Sequence, residues 1–153
     1  GIPNYGSRFR PRLDTGEDVV SPYLWSRGIT RLDLVAATHP HEDHTGGLPA
    51  ILRNFRPREL WLGGAPADPG WSNLTQSAQL AGVPLIRPLE GDIRDFGDAS
   101  VRLLSPPRDG SSVRANDASL VFLVTFGQTR FLLTGDIEQD AESRLLDSLG
   151  PVD

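Results

Sequence analysis

The three histidines of the chain lie within six consecutive residues, His39-Pro40-His41-Glu42-Asp43-His44. The apolar stretch from Leu34 to Ala37 comes directly before them, and Gly46-Gly47 follows. A short apolar run predicts a buried strand, so the histidines stand where a strand ends. Imidazole nitrogens and carboxylate oxygens are the usual zinc ligands and also hold manganese or iron. Because a solvated loop has no reason to concentrate every histidine of a protein, the cluster predicts a metal site.

The spacing within the cluster divides the ligands between two ions. His39 and His41 are two residues apart, so on extended backbone they point to the same side and bind one ion together. Asp43 and His44 lie further round the loop and suit a second ion. Two ions about 3.5–4 Å apart form a clamp for hydrolysis, which activates water and stabilises charge on the leaving or attacking oxygen.

The residues around these ligands have simpler expected roles. Glu42 is predicted to point away from the site as a surface carboxylate. Thr38 and Thr45 offer outer hydrogen bonds to the ligands. Gly46-Gly47 allows a tight turn, so that the following helix starts close to the ions.

Length and composition indicate an ordinary single domain. The chain has 153 residues, of which 38% are hydrophobic and 23% charged, and it contains no cysteine. These values are typical of a soluble globular protein, and no apolar run approaches the roughly 18 residues of a membrane span. The net charge of -5 argues against a broad nucleic-acid surface. Two arginine clusters qualify this point, although exposed arginines are more often solvated than bound to phosphate: Arg8, Arg10 and Arg12, and Arg53, Arg56 and Arg58.

Apolar periodicity predicts alternating strands and helices followed by a late hairpin, hence a mixed α/β sheet protein. The predicted helices cover about Glu17–Arg27, Leu48–Phe55, Trp71–Ala81 and a terminal segment from Ile137 to Leu149. The predicted strands cover Leu32–Ala37, Glu59–Leu62, Val83–Ile86, Ala99–Leu104, Ser119–Phe126 and Arg130–Thr134.

Asp136 is a further candidate ligand. Phe131, Leu132 and Leu133 predict a buried strand, so Asp136 also lies just beyond a strand end, where it suits a group that bridges two ions. The alternative is structural, because Asp136 followed by Gln139 is a reasonable capping box for the terminal helix. The spacing alone does not decide between the two.

The pattern His-x-His-x-Asp-His followed by Gly-Gly, after an apolar strand, resembles the signature of the metallo-β-lactamase superfamily. More of the chain resembles the hydrolase domain of ComEC-type competence proteins. The similarity spans roughly residues 14 to 148. It is carried by Asp18–Leu24, Arg27–Ile29, Leu32–Val35, Asn116–Val121 and Arg130–Ile137.

The resemblance implies an αββα sandwich that binds two divalent metal ions, zinc or manganese. It implies that Asp136 is the metal-bridging aspartate, beside the ligands His39, His41, Asp43 and His44. It also places three residues of the later motif on the active-site side, namely Asn116, Asp117 and Ser119. Judged by the family, residues 1–153 form one partial domain, incomplete at both ends, without its first strands and a later His-His-Gly-Ser segment.

The resemblance further implies a function. Family members carry this domain in a bacterial protein whose polytopic membrane channel takes up DNA, and the domain is thought to face outside the cytoplasm. We therefore expect a DNA phosphodiesterase in which two ions and Asp136 hold a bridging hydroxide, with Asp43 and Asp136 as the catalytic carboxylates. DNA and the membrane channel are then the expected partners. The alternatives are a small-molecule ester, lactone or thioester hydrolase on the same fold, or an inactive fragment.

Overall fold

The computed structural model describes residues 13–65, 67–108 and 116–149, with side chains as far as residue 146. Its α-helices are α1 (Ser21–Ser26), α2 (Glu42–Thr45), α3 (Leu48–Phe55), α4 (Ser72–Ala81) and α5 (Gln139–Leu149). Its strands are β1 (Leu34–Ala37), β2 (Glu59–Leu62), β3 (Leu85–Ile86), β4 (Ile93–Phe96), β5 (Ala99–Ser105), β6 (Val121–Phe126) and β7 (Thr129–Leu133). A π-helical turn over Thr15–Val20 precedes α1, and a 3₁₀ turn over Pro69–Trp71 precedes α4.

The first sheet is parallel, with the order β1-β2-β3. Side chains alternate along its strands, as period-two geometry requires. One face packs against the helices α3 and α4, while the other face turns toward the second sheet. The helix-side core contains Val35, Ala37, Leu60, Leu62, Ile51, Leu52, Phe55, Leu74 and Ala78.

The second sheet is antiparallel, with the order β4-β5-β6-β7. Between the two sheets lies a second core, centred on Trp61 of β2, which is fully buried. The Trp61 ring lies 6.2 Å from that of Phe122 and 6.4 Å from that of Phe96, measured between centroids. The order helix layer, sheet, sheet confirms the predicted α/β fold with two facing sheets.

Close backbone contact joins the start of α3 to the π-helical turn. A Cβ atom added to Gly16 would meet the carbonyl oxygen of Gly47 at 1.8 Å, so no side chain fits there. Gly47 itself has φ −87, an ordinary value. A Cβ atom added to Gly47 would lie 2.7 Å from the Gly16 amide nitrogen, so glycine is needed on both sides of this close approach.

The strand β7 corrects one prediction. Phe131, Leu132 and Leu133 were expected to be buried, yet they are 53%, 46% and 53% exposed. The reason is their position, because β7 is an edge strand that pairs with β6 on one side alone among the described residues. Phe131 pairs with Val124, and Leu133 pairs with Phe122, so both side chains lie on the inward face of the sheet. No described element covers them on that face.

Smaller differences concern local segments. The strand β4 and the one-turn helix α2 were not predicted. The hairpin between β6 and β7 has a two-residue turn, because Phe126 pairs with Thr129. The arginine cluster at residues 8, 10 and 12 lies outside the described residues. Within those residues, no helix combines the length and the apolar character needed to cross a bilayer.

Candidate metal centre

The site begins where β1 ends. Beyond Ala37, the backbone of Thr38 is fixed by a hydrogen bond from the Leu120 amide to the Thr38 carbonyl, at 3.1 Å. A neighbouring bond runs from the Gly63 amide to the Ala37 carbonyl, at 3.0 Å. These bonds hold the start of the histidine segment against the loops that follow β2 and precede β6.

The short helix α2 turns the chain back after His41. The backbone amides of His44 and Thr45 both donate to the His41 carbonyl, and the Thr45 hydroxyl donates to the same oxygen at 3.0 Å. This turn returns His44 toward His39, and the centroids of their rings lie 4.1 Å apart. The Thr45 hydroxyl thus bonds the main chain of His41 rather than the side chain of a predicted ligand.

Three predicted ligands converge. His39, His44 and Asp136 each offer one donor atom within 4.8 Å of the others. The Oδ2 atom of Asp136 lies 3.2 Å from Nε2 of His44 and 3.9 Å from Nε2 of His39. The loop after β7 thus brings Asp136 to the histidines that follow β1.

His39 is the buried member of this cluster, with no exposed surface. Its Nδ1 atom lies 3.0 Å from the Thr38 hydroxyl and 3.4 Å from the Ser119 hydroxyl. Its Nε2 atom is buried and has no hydrogen-bond partner among the described residues. A buried nitrogen without a partner, aimed at a carboxylate and a second imidazole, fits a metal ligand.

The electrostatics of His39 favour the same state. Burial is the largest cause that lowers the pKa of His39, and the nearby rings of His44 and His41 lower it further. Asp136 and Asp43 oppose this effect. The neutral imidazole, which is the form that binds metal, is thereby favoured.

The other two predicted ligands lie beside the cluster. The His41 ring meets the His39 ring edge-on, with 4.5 Å between centroids. The Oδ2 atom of Asp43 lies 3.7 Å from Nε2 of His44, and the Asp43 side chain is 79% exposed. Glu42 is exposed. The assignment of His41 and Asp43 to particular ions stays a prediction.

Asp136 does not cap the terminal helix. The helix α5 begins at Gln139, and the amide of Glu138 donates to Oδ1 of Asp117 at 3.0 Å. Asp117, from a distant loop, thus holds the residue that precedes α5, and the Asp136 carboxylate lies with the histidines. Asn116 adds a bond from its Nδ2 atom to Oε1 of Glu138, at 3.1 Å.

Two glycines that the sequence analysis passed over are needed for the site to close. Gly135 has φ +58, and an added Cβ would lie 3.1 Å from Cβ of Thr38 and 3.3 Å from Cβ of Ser119. An added Cβ on Gly63 would lie 2.1 Å from the Thr38 carbonyl oxygen. Gly135 stands directly before the candidate ligand Asp136, and glycine is favoured where the backbone comes close to a site. This position in the sequence was the available sign of the close contact.

An open groove runs beside the exposed side of the cluster. Asp43 and His44 line it together with apolar residues of the flanking elements, including Leu13, Val20, Leu48 and Ile51. The described walls of this groove contain acidic and apolar side chains and no arginine.

The arginine cluster at residues 53, 56 and 58, at the end of α3 and just beyond it, lies elsewhere. Arg53 contacts the Glu17 carboxylate at 2.6 Å, and Arg58 contacts Asp33 at 3.3 Å. Asp33 and Arg58 precede β1 and β2, whereas the histidines follow β1, so this cluster lies at the opposite ends of the strands. Its pairing with carboxylates agrees with the view that these arginines belong to an ordinary surface.

Comparison with known families decides the class of the protein. A family profile described as "Metallo-beta-lactamase superfamily" matches residues 11–153. The chain belongs to that superfamily. Membership gives the site a class of function, metal-dependent hydrolysis, and the cluster of His39, His44 and Asp136 fits the divalent metals that this fold binds.

Two curated bacterial proteins are similar to most of the chain. "ComE operon protein 3" of Bacillus subtilis (strain 168) is 30% identical over 132 residues, which are 86% of this chain and 17% of that protein. "Uncharacterized protein YcaI" of Escherichia coli (strain K12) is 28% identical over 145 residues, which are 89% of this chain and 16% of that protein. The similarity to ComE operon protein 3 confirms the resemblance to ComEC-type proteins. The chain spans about a sixth of the length of either relative.

A solved structure supports the fold. The diiron beta-hydroxylase CmlA from Streptomyces venezuelae superposes with a TM-score of 0.55 and 21% sequence identity. The match covers 81% of this chain and 24% of that one. At this identity the likeness concerns the arrangement of sheets and helices alone, and it confirms the predicted metallo-β-lactamase-like fold.

Proposed function

We propose that this chain is a DNA phosphodiesterase domain that works with two divalent metal ions, zinc or manganese. The observation that carries the proposal is the buried Nε2 atom of His39. It has no hydrogen-bond partner among the described residues and faces His44 and Asp136. Such a nitrogen is costly to bury unless a ligand satisfies it.

The residues divide the work of holding the ions. His39 and His41 are the proposed ligands of one ion, Asp43 and His44 those of the other, and Asp136 is the group shared between them. The distances of Asp136 to both His39 and His44 suit a shared carboxylate. When bound, two divalent ions activate water and stabilise the charge that develops on the phosphate oxygens.

The exposure of the three clustered residues indicates the side from which the site is open to solvent. His39 is buried, His44 is 29% exposed, and Asp136 is 49% exposed. Substrate therefore approaches from the side of His44 and Asp43, which line the groove. An open groove suits a long polymer better than a closed pocket does.

The choice of DNA rests on the relatives. ComE operon protein 3 is a ComEC-type protein, and the resemblance described above implies that such proteins take up DNA through a membrane channel. In the proposed setting, the chain is one part of such a protein, outside the cytoplasm and beside the channel. The small share of ComE operon protein 3 that the chain covers supports a larger parent protein.

A second candidate is favoured by the groove itself. Its described walls carry apolar residues and no arginine, which suits a small ester, lactone or thioester at least as well as a phosphate backbone. The two candidates share the metal centre and differ in the group that they cleave.

The deciding experiment measures two reactions of one preparation. The protein is loaded with zinc or manganese and given single- and double-stranded DNA. A generic ester is tested in parallel. We expect nucleotide release that Asp43→Ala and Asp136→Ala abolish, while Asp140→Ala, an exposed carboxylate on α5, retains it.

The outcomes separate the proposals. Ester turnover without DNA cleavage would replace the nuclease by the small-molecule hydrolase. If the metal-loaded protein cleaves neither DNA nor the ester, its metal centre does not catalyse hydrolysis.

A further inference from the structure

The segment from Asn116 to Ser119 touches both halves of the metal centre. We propose that Ser119 and Asp117 are positioning residues, of which Ser119 orients the His39 ring and Asp117 fixes the turn that carries Asp136. This inference rests on the proposed metal centre, and it assigns to these residues a role toward the ligands rather than toward the substrate.

The first half of the argument concerns Ser119. Its side chain is fully buried, and its hydroxyl lies 3.4 Å from Nδ1 of His39, on the same nitrogen as the Thr38 hydroxyl. Both hydroxyl oxygens can accept a hydrogen bond from Nδ1–H, and in that tautomer the lone pair is on Nε2. That nitrogen is the one directed at Asp136. Hydrogen bonds to the remote nitrogen of a ligating histidine fix its tautomer and ring orientation.

The backbone ensures that Ser119 reaches His39. The amide of Leu120 donates to the Thr38 carbonyl, so the residue after Ser119 is bonded to the residue before His39. The Gly64 amide donates to the Ala118 carbonyl at 2.7 Å, on the other side of Ser119. The serine is therefore held between two backbone bonds that its neighbours make with the loops of the first sheet.

The second half of the argument concerns Asp117, which is 4% exposed. Its Oδ1 atom accepts the amide proton of Glu138, two residues after Asp136. A carboxylate at this position also benefits from the N-terminal end of α5. Asn116 binds the Glu138 side chain as well. The turn from Asp136 to Glu138 is thus tied to the same short segment that contacts His39.

Direct packing links the two halves. Gly135 lies against Thr38 and Ser119 so closely that a Cβ atom would approach each to within 3.3 Å or less. The residue before Asp136 is therefore in contact with the residues that hold His39. One segment thereby sets the position of both ligands relative to each other.

The test uses variants that remove one bond at a time from the full chain. Ser119→Ala and Thr38→Val remove the hydroxyls at Nδ1 of His39, and Thr38→Ser keeps one. Asp117→Ala removes the acceptor for Glu138, and Asp117→Asn keeps Oδ1. The matched control is Ser105→Ala, since Ser105 is also buried and its hydroxyl has no partner among the described residues.

Zinc affinity, measured by competition with a chelator, is the first readout. We expect Ser119→Ala and Asp117→Ala each to weaken zinc binding about 10-fold, and the double variant Ser119→Ala/Thr38→Val about 100-fold. Thr38→Ser, Asp117→Asn and Ser105→Ala should bind zinc as the parent does. Parental affinity in both Ser119→Ala/Thr38→Val and Asp117→Ala would overturn the inference.

Two measurements without metal keep the inference separate from the proposed function. Nitrogen NMR should find the proton of His39 on Nδ1 in the parent and in Ser105→Ala, and a mixture of tautomers in Ser119→Ala/Thr38→Val. Amide exchange at Glu138 should accelerate in Asp117→Ala and not in Asp117→Asn. A parent that binds no zinc would contradict the proposed function, while an unchanged tautomer and unchanged exchange would contradict the inference itself.

Discussion

The Oδ2 atom of Asp136 lies 3.2 Å from Nε2 of His44, although the two residues follow strands of different sheets. His44 comes after β1 of the parallel sheet, and Asp136 comes after β7 of the antiparallel sheet. A metal ion bound by both would therefore connect the two sheets.

Metal stoichiometry should distinguish the shared ligand from the others. We expect two ions per chain in the parent protein, about one in Asp43→Ala, and less than one in Asp136→Ala. The reason is that Asp43 contacts His44 alone within the cluster, whereas Asp136 faces both histidines. Elemental analysis after gel filtration measures this. Equal losses in the two variants would argue against Asp136 as the shared group.

Zinc should stabilise the protein against heat. Because ligands from both sheets bind it, zinc favours the folded state, by about 2.7 kcal/mol at a concentration 100 times the dissociation constant. For a chain of this size that corresponds to a rise of about 5–10 °C in the melting temperature. Calorimetry with zinc and with a chelator measures the effect, and His39→Ala should melt at the same temperature under both conditions.

The exposed apolar side chains of β7 should promote association. Phe131 and Leu133 are each 53% exposed on an edge strand, a combination that invites contact with other chains. We expect the isolated 153-residue chain to show concentration-dependent sedimentation and a concentration-dependent melt. Phe131→Ser/Leu133→Ser should reduce the association.

The control for this surface is Leu80→Ser, because Leu80 is 85% exposed but lies on α4, far along the chain from β7. It should leave association as it is in the parent. A sharp melt of a monomer, independent of concentration, would contradict the prediction.

Acid should remove a stabilising contribution of Asp92, which precedes β4. Its pKa is lowered because its carboxylate accepts the amide proton of Leu89 and, secondly, contacts Arg108. A carboxyl with a lowered pKa stabilises the fold fully above its ordinary value near 3.8. That contribution is then lost as the pH falls from this value through the lowered pKa. Melting temperatures between pH 6 and pH 2 should therefore fall less steeply in Asp92→Asn than in the parent, with Asp95→Asn, on the exposed part of β4, as the control.

Local pattern was sufficient for several elements. The helix Leu48–Phe55 and the strand Glu59–Leu62 have the bounds that the sequence predicted. The helix buries one regular apolar stripe and stops before Pro57, and the strand is a short apolar run that stops at Gly63. The position of the histidines after β1 was predictable for the same reason. The convergence of His39, His44 and Asp136 was predictable only with the resemblance to a known family.

Contacts between distant segments were not predictable from periodicity. Ser119 lies 80 positions from His39, and nothing in its local sequence distinguishes a serine that contacts a ligand from one that ends a loop. The exposure of β7 depends on which strands lie beside it, and a run of apolar residues carries no information on that. The bond between Asp117 and the residue before α5 likewise depends on tertiary contact, and local sequence favoured Asp136 as the cap.

The indole of Trp61 bears on the geometry of the candidate metal centre. It fills the space between the two sheets, out of contact with solvent, while His39 follows a strand of one sheet and Asp136 a strand of the other. The separation of the sheets is therefore one of the quantities on which the distance between these two ligands depends, beside the short segment that contacts both. A side chain remote from water thus belongs to the architecture of a hydrophilic centre.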